Sequence, residues 1–202
     1  PRRDIDIVDN ELILNDLIFV EKRMMRIEKD LKGKHETTKE KEKEMLLKMK
    51  THLEKNLPLR TLEFSDDQMK ILSAFELLTR KKIVIVLNVG EEDLKDKSLI
   101  EGYSNAYRGK DLSFMMLSAK VEEDLEGFES PDEKKAFMAE LGIEESALSK
   151  LTGLCFEALG LISFFTVGED EVRQWTIKKG STAPEAAGAV HWDILSVQTA
   201  PL

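Results

Sequence analysis

The strongest constraint on the fold is a pair of apolar stretches separated by a helical pattern. Ile83 to Leu87 is continuously apolar, and Leu112 to Leu117 forms a second apolar stretch. A continuously apolar strand is typical of a sheet that is covered on both faces. A helical pattern begins near Leu94, and further helices are predicted after Ser130 and over Glu145 to Leu159. This strand–helix–strand–helix order predicts an α/β fold with a parallel sheet over residues 81–160.

Residues 1–80 have a helical pattern. Apolar residues recur at alternating spacings of four and three, as in the seam of a coiled coil; they are Ile13, Leu17, Val20, Met24, Ile27 and Leu31. A capping box at Thr37 predicts the start of a second helix, which Pro58 stops. Its own seam consists of Leu46, Met49 and Leu53. The two helices are predicted to form an antiparallel hairpin arm, and a capping box at Ser65 predicts a third helix through Leu78.

Residues 161–202 change character again. Ile162 to Val167 and Val172 to Ile177 predict two strands of a hairpin, joined by Gly168-Glu169-Asp170. A capping sequence at Thr182 predicts a short helix through about His191. Two strands followed by a helix predict a small ubiquitin-like β-grasp, incomplete within this chain.

Composition excludes several classes of protein. The net charge is −9 for 202 residues, so the molecule as a whole repels nucleic acid, and any RNA contact needs a local basic patch. Cys155 is the single cysteine, which excludes a disulfide framework and a multi-cysteine zinc site and fits a reducing cytoplasm. No apolar run approaches the roughly 18 residues of a membrane span. The three histidines, His35, His52 and His191, are far apart in sequence and are assigned neither to catalysis nor to a metal.

The predicted arm carries the best candidate for a local basic patch that contacts RNA. Residues 32–55 contain eight lysines and five glutamates. The tip cluster consists of Lys32, Lys34, Lys39, Lys41 and Lys43, and basic tips can follow the phosphates of a nucleic acid. The alternative is an ordinary solvated helix rich in lysine and glutamate. Arg173, Lys178 and Lys179 form a second, smaller basic face near the carboxyl end.

The residues also resemble a known family. The segment F-F-T-V-G-E-D-E-V-R-Q-W-T-I-K-K-G-S-T-A-P-E-A-A-G-A-V-H-W-D, from Phe164 to Asp193, resembles the TGS domain of the Obg-like ribosome-binding ATPases, the YchF family. The resemblance continues upstream to the Asn88 loop, to Phe137-Met138 and to Arg3-Asp4-Ile5. It implies a P-loop nucleotide domain interrupted by a helical arm and followed by a TGS domain. It also implies a cytoplasmic, Mg²⁺-dependent ATPase that engages the ribosome through the arm and the TGS domain.

The chain departs from the family pattern in two places. The eleven glycines contain no G-x-x-x-x-G-K-[ST] phosphate loop, which the resemblance places before Pro1. After the TGS helix, the sequence from Ile194 runs into Leu195-Ser196-Val197 where the family continues with further strands. We therefore expect a partial chain with no catalytic and no metal-binding residues of its own, inactive in ATP hydrolysis. Mg²⁺ with ATP is expected only in the complete protein.

The Asn88 loop is the candidate base-binding site. Asn88-Val89-Gly90-Glu91 stands where P-loop GTPases carry N-K-x-D, whose Asp accepts two hydrogen bonds from guanine. Val89 lacks the lysine stem, and Glu91 places its carboxylate one methylene further out, which weakens a guanine clamp and favours adenine. Ser118-Ala119-Lys120 fits the companion loop that supports the base through backbone N–H groups. Without the resemblance, an ordinary strand-to-loop turn is the favoured interpretation.

The leading hypothesis is a fragment of a ribosome-associated nucleotide-binding protein, with ATP as the nucleotide and GTP as the alternative. Its domains are the arm (1–80), the second half of the nucleotide domain (81–160) and a partial TGS domain (161–202). The rival is a non-enzymatic module that binds RNA or protein through the arm and the TGS domain, with the nucleotide fold as scaffold. Neither hypothesis involves DNA or a membrane.

Overall fold

The computed structural model describes residues 1–31, 37–168 and 170–190. Its helices and strands in chain order are α1 (Arg2–Asp30), α2 (Thr37–Glu54), α3 (Asp66–Leu72), β1 (Ile83–Asn88), α4 (Lys97–Ala106), β2 (Leu112–Leu117), α5 (Ala119–Glu126), α6 (Pro131–Glu140), α7 (Ala147–Leu159), β3 (Leu161–Val167), β4 (Val172–Lys178) and α8 (Ala183–Val190). Short 3₁₀ turns lie at Leu59–Thr61, Leu78–Arg80, Glu91–Lys95 and Arg108–Lys110. The chain divides into two compact units, Pro1–Ser118 and a second that begins at Ala119. The three-domain division stays a prediction.

The first unit is built around the two long helices, α1 and α2. Their shared interior is apolar and contains Ile13, Val20, Ile27, Met45, Leu46, Met49 and Leu53, each at most 5% exposed. Four ion pairs cross between the helices, at Lys50–Glu21 (2.7 Å), Arg23–Glu42 (2.7 Å), Lys43–Glu28 (3.1 Å) and Lys39–Asp30 (3.6 Å). Glu21 pairs with Lys50 near the end of α2, whereas Asp30 at the end of α1 pairs with Lys39 near the start of α2, so the helices run antiparallel. Exposed ion pairs contribute little, so the apolar interior supplies most of the stability.

The helix predicted from Ser65 through Leu78 is shorter than expected. The capping box forms, because Gln68 donates its backbone N–H to Ser65 Oγ (3.4 Å) and its side chain accepts from the Ser65 backbone. The helix nevertheless ends at Leu72. Beyond it the chain turns so that Phe75 contacts Phe19 edge to face (5.4 Å between ring centroids) and Leu77 is buried. The helix ends at Leu72 because these two side chains pack against α1 and α2. Local helix propensity does not determine this end.

The parallel sheet is confirmed. β1 and β2 pair in parallel, with Ile83 opposite Leu112 and Asn88 opposite Leu117. The expectation that the first strand is covered on both faces is wrong, because Leu87 is buried whereas Val86 is 39% exposed. Among the described residues this sheet has two strands, which is too narrow to be covered fully on both faces.

A buried carboxylate attaches α1 to the turn that precedes β1. Asp16 is fully buried and accepts hydrogen bonds from the backbone N–H of Leu78 (2.9 Å) and of Thr79 (2.7 Å) and from the Thr79 hydroxyl (2.6 Å). Thr79 Oγ1 in turn accepts from the backbone N–H of Leu59 (3.1 Å). Three donors satisfy the carboxylate, as a buried charged group requires. The arrangement connects α1 with the turns on either side of α3.

A second buried carboxylate, Asp9, joins α1 to two more distant segments. Its side chain is 3% exposed and accepts from Arg60 Nη2 (3.0 Å) and from Lys110 Nζ (2.8 Å). Arg60 Nε also donates to the carbonyl oxygen of Lys110 (2.6 Å). Within the described part of the chain, Arg60 Nη1 is buried without a hydrogen-bond partner. A single buried carboxylate therefore pairs with two cationic side chains, of which Arg60 is itself buried.

His52, near the end of α2, couples stability to pH. Its Nε2 lies 3.2 Å from the carbonyl oxygen of Pro58 and 2.9 Å from Thr61 Oγ1. Because a carbonyl can only accept, Nε2 carries the hydrogen in the neutral ring. Burial lowers the pKa of His52 below its ordinary value, the Pro58 carbonyl opposes this, and Lys55 and Lys48 lower the pKa further.

We predict that the free energy of unfolding falls as the pH drops below the ordinary histidine pKa of about 6.5. In that window the unfolded chain binds the proton and the folded state does not, so protonation favours unfolding. The loss is complete once the pH falls through the lower, folded-state pKa. Urea denaturation between about pH 7.5 and 5.5 measures it. The variant His52→Gln keeps an N–H donor for Pro58 and should have a shallower pH dependence; an unchanged slope would contradict the assignment.

The second unit contains an antiparallel hairpin, which is confirmed. β3 and β4 pair from Leu161 opposite Lys178 to Val167 opposite Val172. The predicted turn residue Glu169 and the predicted helix end at His191 lie outside the described residues. The helix predicted over Glu145 to Leu159 begins at Ala147, because Ser146 is its N-terminal cap. Gly160, with a φ of 62°, ends it. None of the helices in the described ranges is long and apolar enough to cross a membrane.

Candidate functional site

The candidate site begins where the two parallel strands end. Asn88, the last residue of β1, is the register partner of Leu117, the last residue of β2. The backbone N–H of Val89 donates to the carbonyl oxygen of Leu117 (2.9 Å). This hydrogen bond places Asn88-Val89 directly beside Leu117-Ser118. Carboxyl ends of parallel strands are where α/β sheets bind ligands.

The side chains of the Asn88 loop differ in exposure. Asn88 and Glu91 are exposed, and Glu91 opens the 3₁₀ turn Glu91–Lys95. Val89 is half-buried and packs against the small core of Leu87, Tyr107 and Phe114. Only part of Val89 is therefore left to contact a ring. Ser118 is 5% exposed, so its side chain faces the interior.

Ala119 and Lys120 do not form the expected loop. They are the first two residues of α5, so that the sequence Ser118-Ala119-Lys120 is a junction from strand to helix. Both side chains are exposed.

Glu91, Glu92 and Asp93 stand side by side in sequence and are all exposed. Across the described residues, no three His, Cys, Asp or Glu side chains lie where they could hold one metal ion.

The positive charge predicted for the tip lysines is partly neutralised by ion pairs between α2 and α1. Lys39 pairs with Asp30 and Lys43 pairs with Glu28. Lys41 is exposed, and Lys32 and Lys34 lie outside the described residues. The ion pairs reduce the positive potential that the lysine count alone suggests, because Asp30 and Glu28 come from the other helix. A role for these lysines in RNA contact stays a prediction.

The second basic face is divided between two sides of the β3–β4 hairpin. Successive side chains of a strand point to opposite faces, so Arg173 and Lys178 of β4 do not share one. Arg173 lies over the ring of Trp175, with 4.5 Å between the guanidinium carbon and the ring centroid. Trp175 Nε1 donates to Thr166 Oγ1 (2.9 Å). Arg173, Lys178 and Lys179 are all exposed, and their role in RNA contact stays a prediction.

Sequence reasoning missed one aromatic contact next to the site. Tyr107, in the segment before β2, donates its hydroxyl to Asp6 Oδ1 (2.9 Å) on α1. Burial, and then the hydrogen bond and the charge of Asp6, raise the pKa of Tyr107 to about 12. The ring also packs on Phe114, with 5.8 Å between the centroids. Tyr107 therefore supports the core beneath the Asn88 loop from the helical side.

The arrangement defines an α/β protein with a parallel strand pair and an antiparallel hairpin. A solved structure entitled "Structure of the Schizosaccharomyces pombe YchF GTPase" superimposes with a TM-score of 0.83 at 32% identity, over 96% of this chain and 53% of that one. The "Ribosome-binding ATPase YchF" of Bacillus subtilis is 40% identical over 196 residues, 96% of this chain and 53% of that protein. The "Obg-like ATPase 1" of Caenorhabditis elegans is 34% identical over 199 residues, 96% and 49% respectively.

A family model described as "YchF-GTPase_C: Protein of unknown function (DUF933)" matches residues 161–197. Over 96% of its length the chain is similar to proteins of the YchF, or Obg-like ATPase, family. It spans about half the length of the curated relatives that it matches.

Proposed function

We propose that residues 1–202 are part of a ribosome-associated nucleotide-binding protein whose complete form hydrolyses ATP to ADP and phosphate, with GTP as the alternative substrate. The names of the relatives support the ribosome and the nucleotide. The observation that carries the proposal within this chain is the register of β1 and β2, which places the Asn88 loop beside Ser118. A cytoplasmic location is part of the same proposal.

In this proposal the Asn88 loop recognises the base. Asn88 orders the loop and approaches the base, and the exposed part of Val89 contacts the ring. Glu91 replaces the shorter carboxylate that would read guanine. Ser118, Ala119 and Lys120 support the base through backbone N–H groups at the junction from β2 to α5.

Hydrolysis requires groups that we do not assign to this chain. Phosphoryl transfer needs a phosphate cradle, a lysine and a Mg²⁺-binding hydroxyl. We therefore expect isolated 1–202 to hydrolyse no ATP above background, whereas the protein at the full length of its relatives hydrolyses ATP with Mg²⁺. Release of inorganic phosphate from the two proteins at equal concentration tests this. Equal rates would show that 1–202 holds the catalytic groups itself, and inactivity of both would favour a non-enzymatic binding module.

The proposed ribosome contact uses two of the three proposed domains, the arm and the TGS domain. Residues 1–80 form a coiled-coil arm inserted in the nucleotide domain, residues 81–160 the second half of that domain, and residues 161–202 a partial TGS domain. The antiparallel packing of α1 and α2 supports the arm, and the hairpin followed by α8 supports the β-grasp. The contacts would come from Lys32, Lys34, Lys39, Lys41 and Lys43 at the tip and from Arg173, Lys178 and Lys179 on the hairpin.

We predict that Lys39→Glu/Lys41→Glu/Lys43→Glu weakens ribosome binding and flattens its salt dependence by about one unit of slope per lost phosphate contact. Co-sedimentation of 1–202 with ribosomes at several salt concentrations measures both. The matched control, Lys70→Glu/Lys135→Glu/Lys150→Glu, changes the net charge equally at sites away from the tip. If both triple variants lose binding equally, net charge and not the tip is responsible.

A further inference from the structure

An exposed apolar stripe runs along α1. It consists of Ile7, Leu14, Ile18 and Met25, which are 44%, 56%, 43% and 56% exposed. Successive members are seven, four and seven residues apart, so the pattern repeats every eleven residues. Because eleven residues make close to three full turns, the four side chains stay in line on a nearly straight α-helix. At about 100° per residue the stripe lies about a third of a turn from the side chains that pack on α2.

This stripe is more than the scatter of apolar side chains that every protein surface carries. It extends over the 18 residue-to-residue steps from Ile7 to Met25, or about 27 Å at 1.5 Å per step. An aligned row of four large apolar side chains on a long helix has the form of a helix-packing surface.

We propose that the stripe binds a second copy of this chain, with the two α1 helices antiparallel. The alignment that buries the whole stripe places Ile7 opposite Met25 and Leu14 opposite Ile18 of the second copy. The stripes of the two copies form the seam of this dimer, and each helix carries further residues on either side, or flank, of its stripe. In an antiparallel pair, residues on the same flank of the two helices meet each other. On one flank this places Glu11 near Lys22 of the second copy.

The other flanking positions also carry complementary groups. The remaining juxtapositions, each written with the second-copy residue last, are Asp4 with Lys29, Arg3 with Glu28, and Asn10 with Glu21. The charged side chains of these pairs and of Glu11–Lys22 are exposed, apart from the half-buried Glu21. Three of them also have partners within the chain, Asp4 with the amino group of Pro1, Glu28 with Lys43, and Glu21 with Lys50. Charge complementarity thus coincides with the alignment that the apolar residues select.

The charges also favour this occupant over the alternatives. In a parallel pair, a residue beside the seam meets a residue of the other helix about five positions further along the sequence. Arg3 then lies near Val8, which is uncharged. The opposite-charge pair that remains is Glu21 with Arg26. An RNA backbone does not fit, because the stripe is apolar and its flanks carry Asp4, Glu11, Glu21 and Glu28 beside Arg3, Lys22 and Lys29. A single pair of helices buries an area at the lower end of specific interfaces, so the dimer is weak.

Sedimentation equilibrium of 1–202 from about 1 to 200 μM tests the proposal, a range suited to a weak interface. We expect a monomer–dimer equilibrium that Leu14→Glu/Ile18→Glu weakens at least tenfold. The control Leu148→Glu alters another exposed leucine, 70% exposed on α7, and should leave dimerisation unchanged. Circular dichroism checks that the variants keep their helices. A monomer throughout the range, or a dimer that the double variant leaves intact, would overturn the proposal.

A charge exchange tests the direction of the helices. Glu11→Lys and Lys22→Glu each place two like-charge pairs in the antiparallel dimer, so each should weaken it. The double variant Glu11→Lys/Lys22→Glu restores opposite charges and should recover the affinity. In a parallel dimer the two positions lie about 16 Å apart along the axis and cannot compensate each other. Absence of recovery would therefore rule out the antiparallel arrangement.

Discussion

Replacement of Asp9 by alanine is expected to lower the free energy of unfolding of the first unit by about 3–5 kcal/mol. Asp9 is 3% exposed and accepts from both Arg60 and Lys110. Without it, the guanidinium of Arg60, which is 1% exposed, remains buried with no carboxylate. Removal of one partner from a buried ion pair costs more than the pair contributes, because the other charge cannot return to water.

The comparison that isolates this effect is Asp96→Ala. Asp96 is exposed and caps α4 by accepting from the backbone N–H of Ser98 (2.9 Å). Loss of such a cap costs about 1 kcal/mol. Urea denaturation followed by circular dichroism at 222 nm reports mainly on α1 and α2, the two longest helices. If Asp9→Ala were no more destabilising than Asp96→Ala, the buried charge would not be the source of the cost.

A double variant distinguishes a buried charge from a lost contact. Asp9→Leu/Arg60→Met replaces both buried charges by apolar side chains, and Lys110, which is 20% exposed, can turn to water. It should be less destabilised than Asp9→Ala alone, as in other buried pairs that are replaced entire.

Three acidic residues of α1 attach the helix to the segments that precede β1 and β2. Asp6 contacts Tyr107, Asp9 contacts Arg60 and Lys110, and Asp16 contacts the turn before β1. Tyr107 and Lys110 lie just before β2, and the turn at Leu78–Arg80 lies just before β1. The helix therefore fixes the approach to both strands, and through their pairing it fixes the edge at which Asn88 and Ser118 meet.

Local patterns in the sequence were sufficient for the strands and the long helices. Leu112 to Leu117 was predicted with its observed bounds, because an apolar stretch stands between the polar residues Asp111 and Ser118. The same reasoning failed at α3, where Phe75 and Leu77 pack on residues far away in sequence. The positions of Asp9 and Asp16 on the buried face of α1 are the one local indication of their role. Their partners could not be predicted from local patterns, because they lie between 51 and 101 residues away in sequence.

The candidate site was predictable to a similar extent. The Asn88 loop follows from an apolar strand and a resemblance, and its closeness to Ser118 follows from parallel pairing. The ion pairs of Lys39 and Lys43 depend on the register between α1 and α2, which the seams alone do not specify. The separation of Arg173 from Lys178 follows from the period of two once the bounds of β4 are known.

The second large effect concerns the base. In the protein at the full length of its relatives, Val89→Lys/Glu91→Asp is expected to shift the ratio of GTP to ATP affinity towards GTP by about 10–100-fold. The shorter carboxylate can accept from the ring N–H and the exocyclic amine of guanine, and hydrogen bonds to a charged group contribute about 1.5–3 kcal/mol. Competition against a fluorescent nucleotide measures both affinities.

The matched control is Glu92→Asp, which shortens the neighbouring exposed carboxylate and should leave the ratio unchanged. Adenine has no 2-amine and presents an acceptor at its ring nitrogen, so a carboxylate brought closer repels it while it binds guanine. The substitution therefore acts on both nucleotides in opposite directions, which a general loosening of the loop would not do. Tighter binding of GTP than of ATP by the unaltered protein would contradict the assigned roles of Val89 and Glu91. Weaker binding of both nucleotides by the double variant, in equal proportion, would instead mean that the half-buried Val89 acts through the core beneath the loop.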